Sequence, residues 1–119
     1  MSQAHRIRLL PWVRSDGKPC YLSTDETSGY MWQLADNMEA IQLNMGAALI
    51  EHVDEVFNAP SVTPEQVRYV ADRLVESLVD VLRIAESRGE RLRASVQEAG
   101  RQATGEEGDG PSLPAGAFG

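Results

Sequence analysis

The strongest constraint on this chain is a pair of long apolar periodicities separated by one proline-containing break. From Thr63 the sequence reads Thr63-Pro64-Glu65-Gln66. That is an N-cap hydroxyl, a proline at the first helical position and a glutamine at the capping-box position. Val67, Val70, Ala71, Leu74, Leu78, Val81, Leu82, Ala85, Leu92 and Val96 then form one stripe with the repeat of an amphipathic helix. Opposite charges three apart on the other face, such as Arg73/Glu76 and Asp80/Arg83, add a few tenths of a kcal/mol each. The pattern predicts a helix over about 63–98. Upstream, Met31, Leu34, Met38, Ile41, Met45, Leu49 and Val56 recur at helical spacing and predict a helix over about 28–58. Ser28 alone, or Ser23 with Glu26, offers its cap. Asn58-Ala59-Pro60-Ser61-Val62 breaks it. The expected fold is mainly α, a long antiparallel helical hairpin over residues 25–99.

The first helix has a second apolar stripe. Trp32, Leu43, Ile50 and Phe57 fall about 80–120° around the helix from Met31. Leu43, Ile50 and Phe57 are spaced by sevens, as in a coiled coil. Gly46 and Ala47 beside them permit close backbone approach. Met31, Met38 and Met45 belong to the main stripe and are expected in the core. Helix two has one well-developed stripe and cannot cover both faces of helix one. The second stripe must therefore meet the N-terminal segment, a second copy or another protein. Two hairpins pairing into a four-helix bundle satisfy this geometry. So does an arm in which Trp12, Val13, Tyr21 and Leu22 fold back, which makes Trp12, Tyr21 and Leu22 candidate arm contacts.

Residues 1–24 form that arm. Short β-leaning runs, Ile7–Val13 and Cys20–Leu22, flank Ser15-Asp16-Gly17-Lys18, and Asp-Gly is a turn signal. Pro11 and Pro19 remove backbone donors, so the arm is a short, edge-like hairpin or an extended segment. Residues 100–119, with six glycines and two prolines, are expected to be disordered.

Charge sharpens the division. The net −7 lies almost wholly in residues 25–59, which hold seven acids and no Lys or Arg, whereas residues 1–24 hold four bases against Asp16. Opposite signs on head and first helix predict attraction between them within a dimer, or recognition of the acidic helix by a basic partner. Overall acidity argues against generic nucleic-acid binding.

Catalytic patterns are not found: GxxxxGK[ST], GxGxxG, GxSxG and HExxH are all missing from the sequence. A bundle di-iron site needs Glu-x-x-His pairs on facing helices, but Leu49 stands three before His52 and helix two has no histidine. His5 and Cys20 have no supporting motif for nucleophilic chemistry. The lone Cys20 cannot form an intrachain disulfide. With no spanning stretch or leader legible, the expected location is cytoplasmic. No metal, no cofactor and no enzymatic activity are expected.

The stretches LPWVRSDGKPCYLSTD, LADNMEAIQLNMGAALIEH and VRYVADRLVESLVDVLRIAESRGERL resemble a group of small uncharacterised actinomycete proteins. The similarity covers residues 9–92. Its elements are Pro11-Trp12, Gly17 to Leu22, Leu34-Ala35-Asp36 and Ala85 to Gly89. Such proteins look like accessory parts of regulatory loci, and the resemblance implies no catalytic residues.

The leading expectation is a non-enzymatic interaction protein, a helical homodimer that binds a regulatory protein, with Trp32, Leu43, Ile50 and Phe57 as the dimer or partner interface. A DNA-associated regulator would instead use Arg6, Arg8 and Arg14 of the head with Arg88, Arg91 and Arg93. A third possibility is a small-ligand carrier with a pocket in the bundle.

Overall fold

The computed structural model of the protein describes residues 6–25 and 27–104. The element order is β1 (Arg6–Val13), β2 (Pro19–Thr24), α1 (Tyr30–Phe57) and α2 (Pro64–Thr104).

The arm is a two-stranded antiparallel hairpin with Ile7 opposite Ser23 and Leu9 opposite Tyr21. Its turn depends on Gly17, whose φ of +83° lies in the left-handed region that glycine enters without a Cβ clash. Asp16 Oδ1 accepts a hydrogen bond from the Lys18 amide at 3.1 Å, and the Arg14 amide donates to the Lys18 carbonyl at 2.8 Å. The register is irregular between Leu9 and Val13. Pro11, in that stretch, has no N–H to give the ladder.

Helix α1 begins at Tyr30, and neither expected cap is used. Gly29 is the N-cap and supplies no side chain. The Ser28 carbonyl accepts from Gln33 Nε2 at 3.1 Å, and Glu26 lies outside the described residues. At the other end the Asn58 amide donates to the Asp54 carbonyl at 3.1 Å.

Helix α2 starts on the capping box. The Gln66 amide donates to Thr63 Oγ1 at 3.1 Å, and the Thr63 amide donates back to Gln66 Oε1 at 2.9 Å. The helix also runs farther than its apolar stripe, through Gly89 and Gly100 to Thr104. One glycine costs about 1 kcal/mol, and the good helix formers Arg101, Gln102 and Ala103 carry the turn onward. The tail therefore does not begin at residue 100. Its remaining residues, 105–119, lie outside the described part.

The core differs from the apolar stripes in a specific way. Leu9, Leu10 and Pro11 of β1, Ala35 of α1, and Val70 and Ile84 of α2 are buried. Ile41 and Met45 are about half exposed, at 51% and 56%, and Met31 is also exposed, whereas Leu34, Met38, Leu49 and Val56 are half-buried, so the stripe is packed only in part. Small residues decide this. Gly46 lets the helices approach until a Cβ there would lie 3.0 Å from Ser77 Oγ. Two polar side chains of this face meet β1: Gln42 donates to the Pro11 carbonyl, and Glu39 pairs with Arg8. The arm docks through consecutive Arg8, Leu9, Leu10 and Pro11, whereas Trp12 and Leu22 are half-buried and Val13 and Tyr21 exposed. Among the described residues, no helix is long and apolar enough to cross a membrane.

Candidate functional site

Two features stand out: a buried ion cluster that ties the arm to both helices, and an uncovered apolar trough between those helices.

The cluster is centred on Arg8 and Glu39, which are 0% and 1% exposed. Arg8 Nη2 lies 2.8 Å from Asp36 Oδ1 and 3.1 Å from Glu39 Oε2. Arg8 Nη1 donates to the Trp32 carbonyl at 3.1 Å. The guanidinium also sits 4.6 Å from the centre of the Trp32 ring, within cation–π range. Glu39 takes two further arginines from α2: Arg88 Nη2 donates to Oε1 at 3.2 Å, and Arg91 Nη2 lies 3.5 Å from Oε2. Arg91 also faces the Trp32 ring at 5.8 Å. Arg8 Nη2 and Glu39 Oε2 are close but poorly aligned for hydrogen bonding, so their contact is ionic in character. Burial, reinforced by the charge of Arg8, pushes the Arg91 pKa below the usual arginine value, with Glu39 and Asp36 opposing.

The arm is bonded on both flanks of this cluster. Ser87 Oγ of α2 donates to the Leu9 carbonyl at 2.7 Å, and Gln42 Nε2 of α1 donates to the Pro11 carbonyl at 2.9 Å. The attraction expected between basic head and acidic helix is thus realised within one chain. Glu39, Ile84 and Ser87 are not legible in the sequence as core residues, nor is half-buried Gln42 as an arm contact. The one available signal was a carboxylate lying between the two apolar stripes of α1, opposite in sign to the arm.

Trp32 consequently parts company with the other three members of its stripe. It is half-buried against Arg8 and Arg91, whereas Ile50 and Phe57 remain 66% and 50% exposed. Leu43, Ala47 and Ile50 of α1 line a trough of about 390 Å³ with Leu74, Leu78 and Val81 of α2, floored by Gly46 and Ser77. The helix-two stripe contributes to the same uncovered surface, because Leu78, Leu82 and Leu92 are each more than half exposed.

Three of the six arginines considered for nucleic acid, Arg8, Arg88 and Arg91, are engaged by Glu39. Arg6 lies 3.8 Å from Glu98, Arg14 lies 3.3 Å from Asp16, and Arg93 is exposed. A cleft of about 570 Å³, open to solvent, is bordered by Arg6, Trp32, Arg91 and Arg101. His52 is exposed and Cys20 half-buried. Among the described residues no group of His, Cys, Asp and Glu has a metal-binding arrangement, and His5 lies outside them. No protein-family model matches this chain, nor does any curated protein or solved structure.

Proposed function

We propose that the protein is a non-enzymatic interaction module that acts through protein–protein contacts as a helical homodimer, two hairpins making a four-helix bundle. One observation carries this reading: the trough between Leu43, Ile50, Leu74 and Leu78 is apolar, floored by small residues and uncovered. Contiguous apolar surface of this kind marks an interaction site. Gly46 and Ser77 on its floor, with small Ala47 beside them, give a partner helix room to seat its side chains. The arm does not compete for it, since Arg8, Leu9, Leu10 and Pro11 are spent on the ion cluster and its flanks. The resemblance of residues 9–92 to small actinomycete proteins adds a regulatory setting. The test is the mass of the purified chain by light scattering, with Ile50→Asp and Leu78→Asp beside the wild type. A wild-type dimer that both variants convert to folded monomer supports the proposal. A monomeric wild type whose stability both variants retain overturns it.

A further inference from the structure

We infer that the two copies pair antiparallel, so that the loop end of each hairpin lies against the strand end of its partner. This rests on the homodimer reading above and adds its orientation. The argument is the charge at the two ends of the hairpin. The loop end, residues 51–72, carries Glu51, Asp54, Glu55, Glu65 and Asp72 against Arg68 alone, and all six are exposed. The strand end brings together Arg6, Arg8, Arg88, Arg91, Arg93 and Arg101 with six carboxylates, Asp25, Asp36, Glu39, Glu86, Glu90 and Glu98. One end is therefore strongly acidic and the other balanced. A parallel pair would set two acidic ends side by side, and like charges across an interface are penalised. An antiparallel pair sets each acidic end against arginines.

The trough fits that arrangement. Its centre lies near Ala47 on α1 and Leu78 on α2. At 1.5 Å per residue, Asp54 stands about 11 Å from this centre toward the loop end, and Arg88 about 15 Å toward the strand end. A two-fold axis across the helices at this centre thus brings Asp54 of one copy to the level of Arg88 of its partner. Arg88 is suited to this role, because its side chain is 56% exposed while it holds Glu39. The apolar surface also extends both ways from the centre, to Phe57 and Val67 at one end and Leu92 at the other, all exposed. The same axis sets Leu92 toward the partner's Val67 and brings it level with the partner's Phe57.

The experiment is a spin-label distance measurement on the full chain. Cys20→Ser removes the native thiol, and Arg93→Cys places one label per copy on an exposed position of α2. The two labels of an antiparallel dimer lie about 45 Å apart along the helices, twice the span from Leu78 to Arg93. Labels closer than about 30 Å overturn the orientation and leave the homodimer standing. A monomeric mass with no intermolecular coupling overturns both. A second pair, Asp54→Cys chains mixed with Ala85→Cys chains, gives the same answer by a short bis-maleimide. Cross-links between 54 and 85 support the proposal, and links of 54 to 54 refute it.

Discussion

Arg8 and Glu39, from the first strand and the first helix, are buried together with Arg8 Nη2 3.1 Å from Glu39 Oε2. Burying charge is expensive, and the interior tolerates it only where partners surround it. Glu39 has three arginine partners and Arg8 two carboxylates, a carbonyl and an indole face. The cluster therefore holds the arm in one place, where packing of Leu9 and Leu10 alone would let the strand slide.

The two partners are not equally replaceable. Glu39→Ala strands Arg8 beside Arg88 and Arg91 and is expected to cost about 3–5 kcal/mol, the range for breaking a buried pair. Arg8→Met keeps much of the volume and leaves Glu39 with two arginines, so its loss stays below about 2 kcal/mol. Urea midpoints at constant m-value check the order. Equal losses would show that Arg88 and Arg91 do not hold Glu39.

Arg91 behaves differently because burial and Arg8 both disfavour its charge. Arg91→Met is expected to change stability by no more than about 1 kcal/mol, since an apolar side chain commonly replaces a desolvated ion without loss. The sign with pH follows. The folded chain holds this proton less tightly than the unfolded chain, so this group's contribution to stability rises as pH climbs toward the arginine range. Alkaline unfolding of wild type and variant, compared side by side, tests it.

The capping box at the start of α2 is a local device with a local cost. Thr63→Ala removes the acceptor for the Gln66 amide and should lower stability by about 1 kcal/mol. Thr63→Asn should recover most of it. Thermal unfolding of the two variants separates capping from any packing role of the threonine methyl.

Gly17 and Gly46 are glycines for different reasons, and substitution reads the difference. Nothing lies within 4 Å of a Cβ at Gly17, but its φ is positive. Gly17→Ala should therefore cost about 1 kcal/mol through the backbone alone, with Gly17→Asn milder. At Gly46 the obstacle is Ser77 Oγ. Gly46→Ala alone should be near neutral, helix propensity offsetting the contact. Gly46→Ala with Ser77→Ala should stabilise the chain by about 0.5–1 kcal/mol. If the double variant shows no gain over Ser77→Ala, the close approach of the helices is not what keeps glycine there.

The sequence by itself determined the elements whose signals are local. Thr63 and Gln66 bond each other across one turn, Asp16-Gly17 closes a tight turn, and the 3.6-residue repeats mark two helices with a proline break between them. The tertiary structure decided which faces meet. Periodicity ranks residues by hydrophobicity, so it placed Met31, Ile41 and Met45 inside. Close packing instead buried Ala35, brought the helices together at Gly46, and left Met31, Ile41 and Met45 exposed. Periodicity likewise had no means of recognising Glu39 and Ser87 as core, or half-buried Gln42 as a contact of the arm. Their burial depends on Arg8 and the Leu9 and Pro11 carbonyls, which reach them only once the arm has folded onto the hairpin. That long-range matching of charge and hydrogen bonds also tied Arg8, Arg88 and Arg91 to one carboxylate, and it left the trough around Ile50 and Leu78 as the surface still open to a partner.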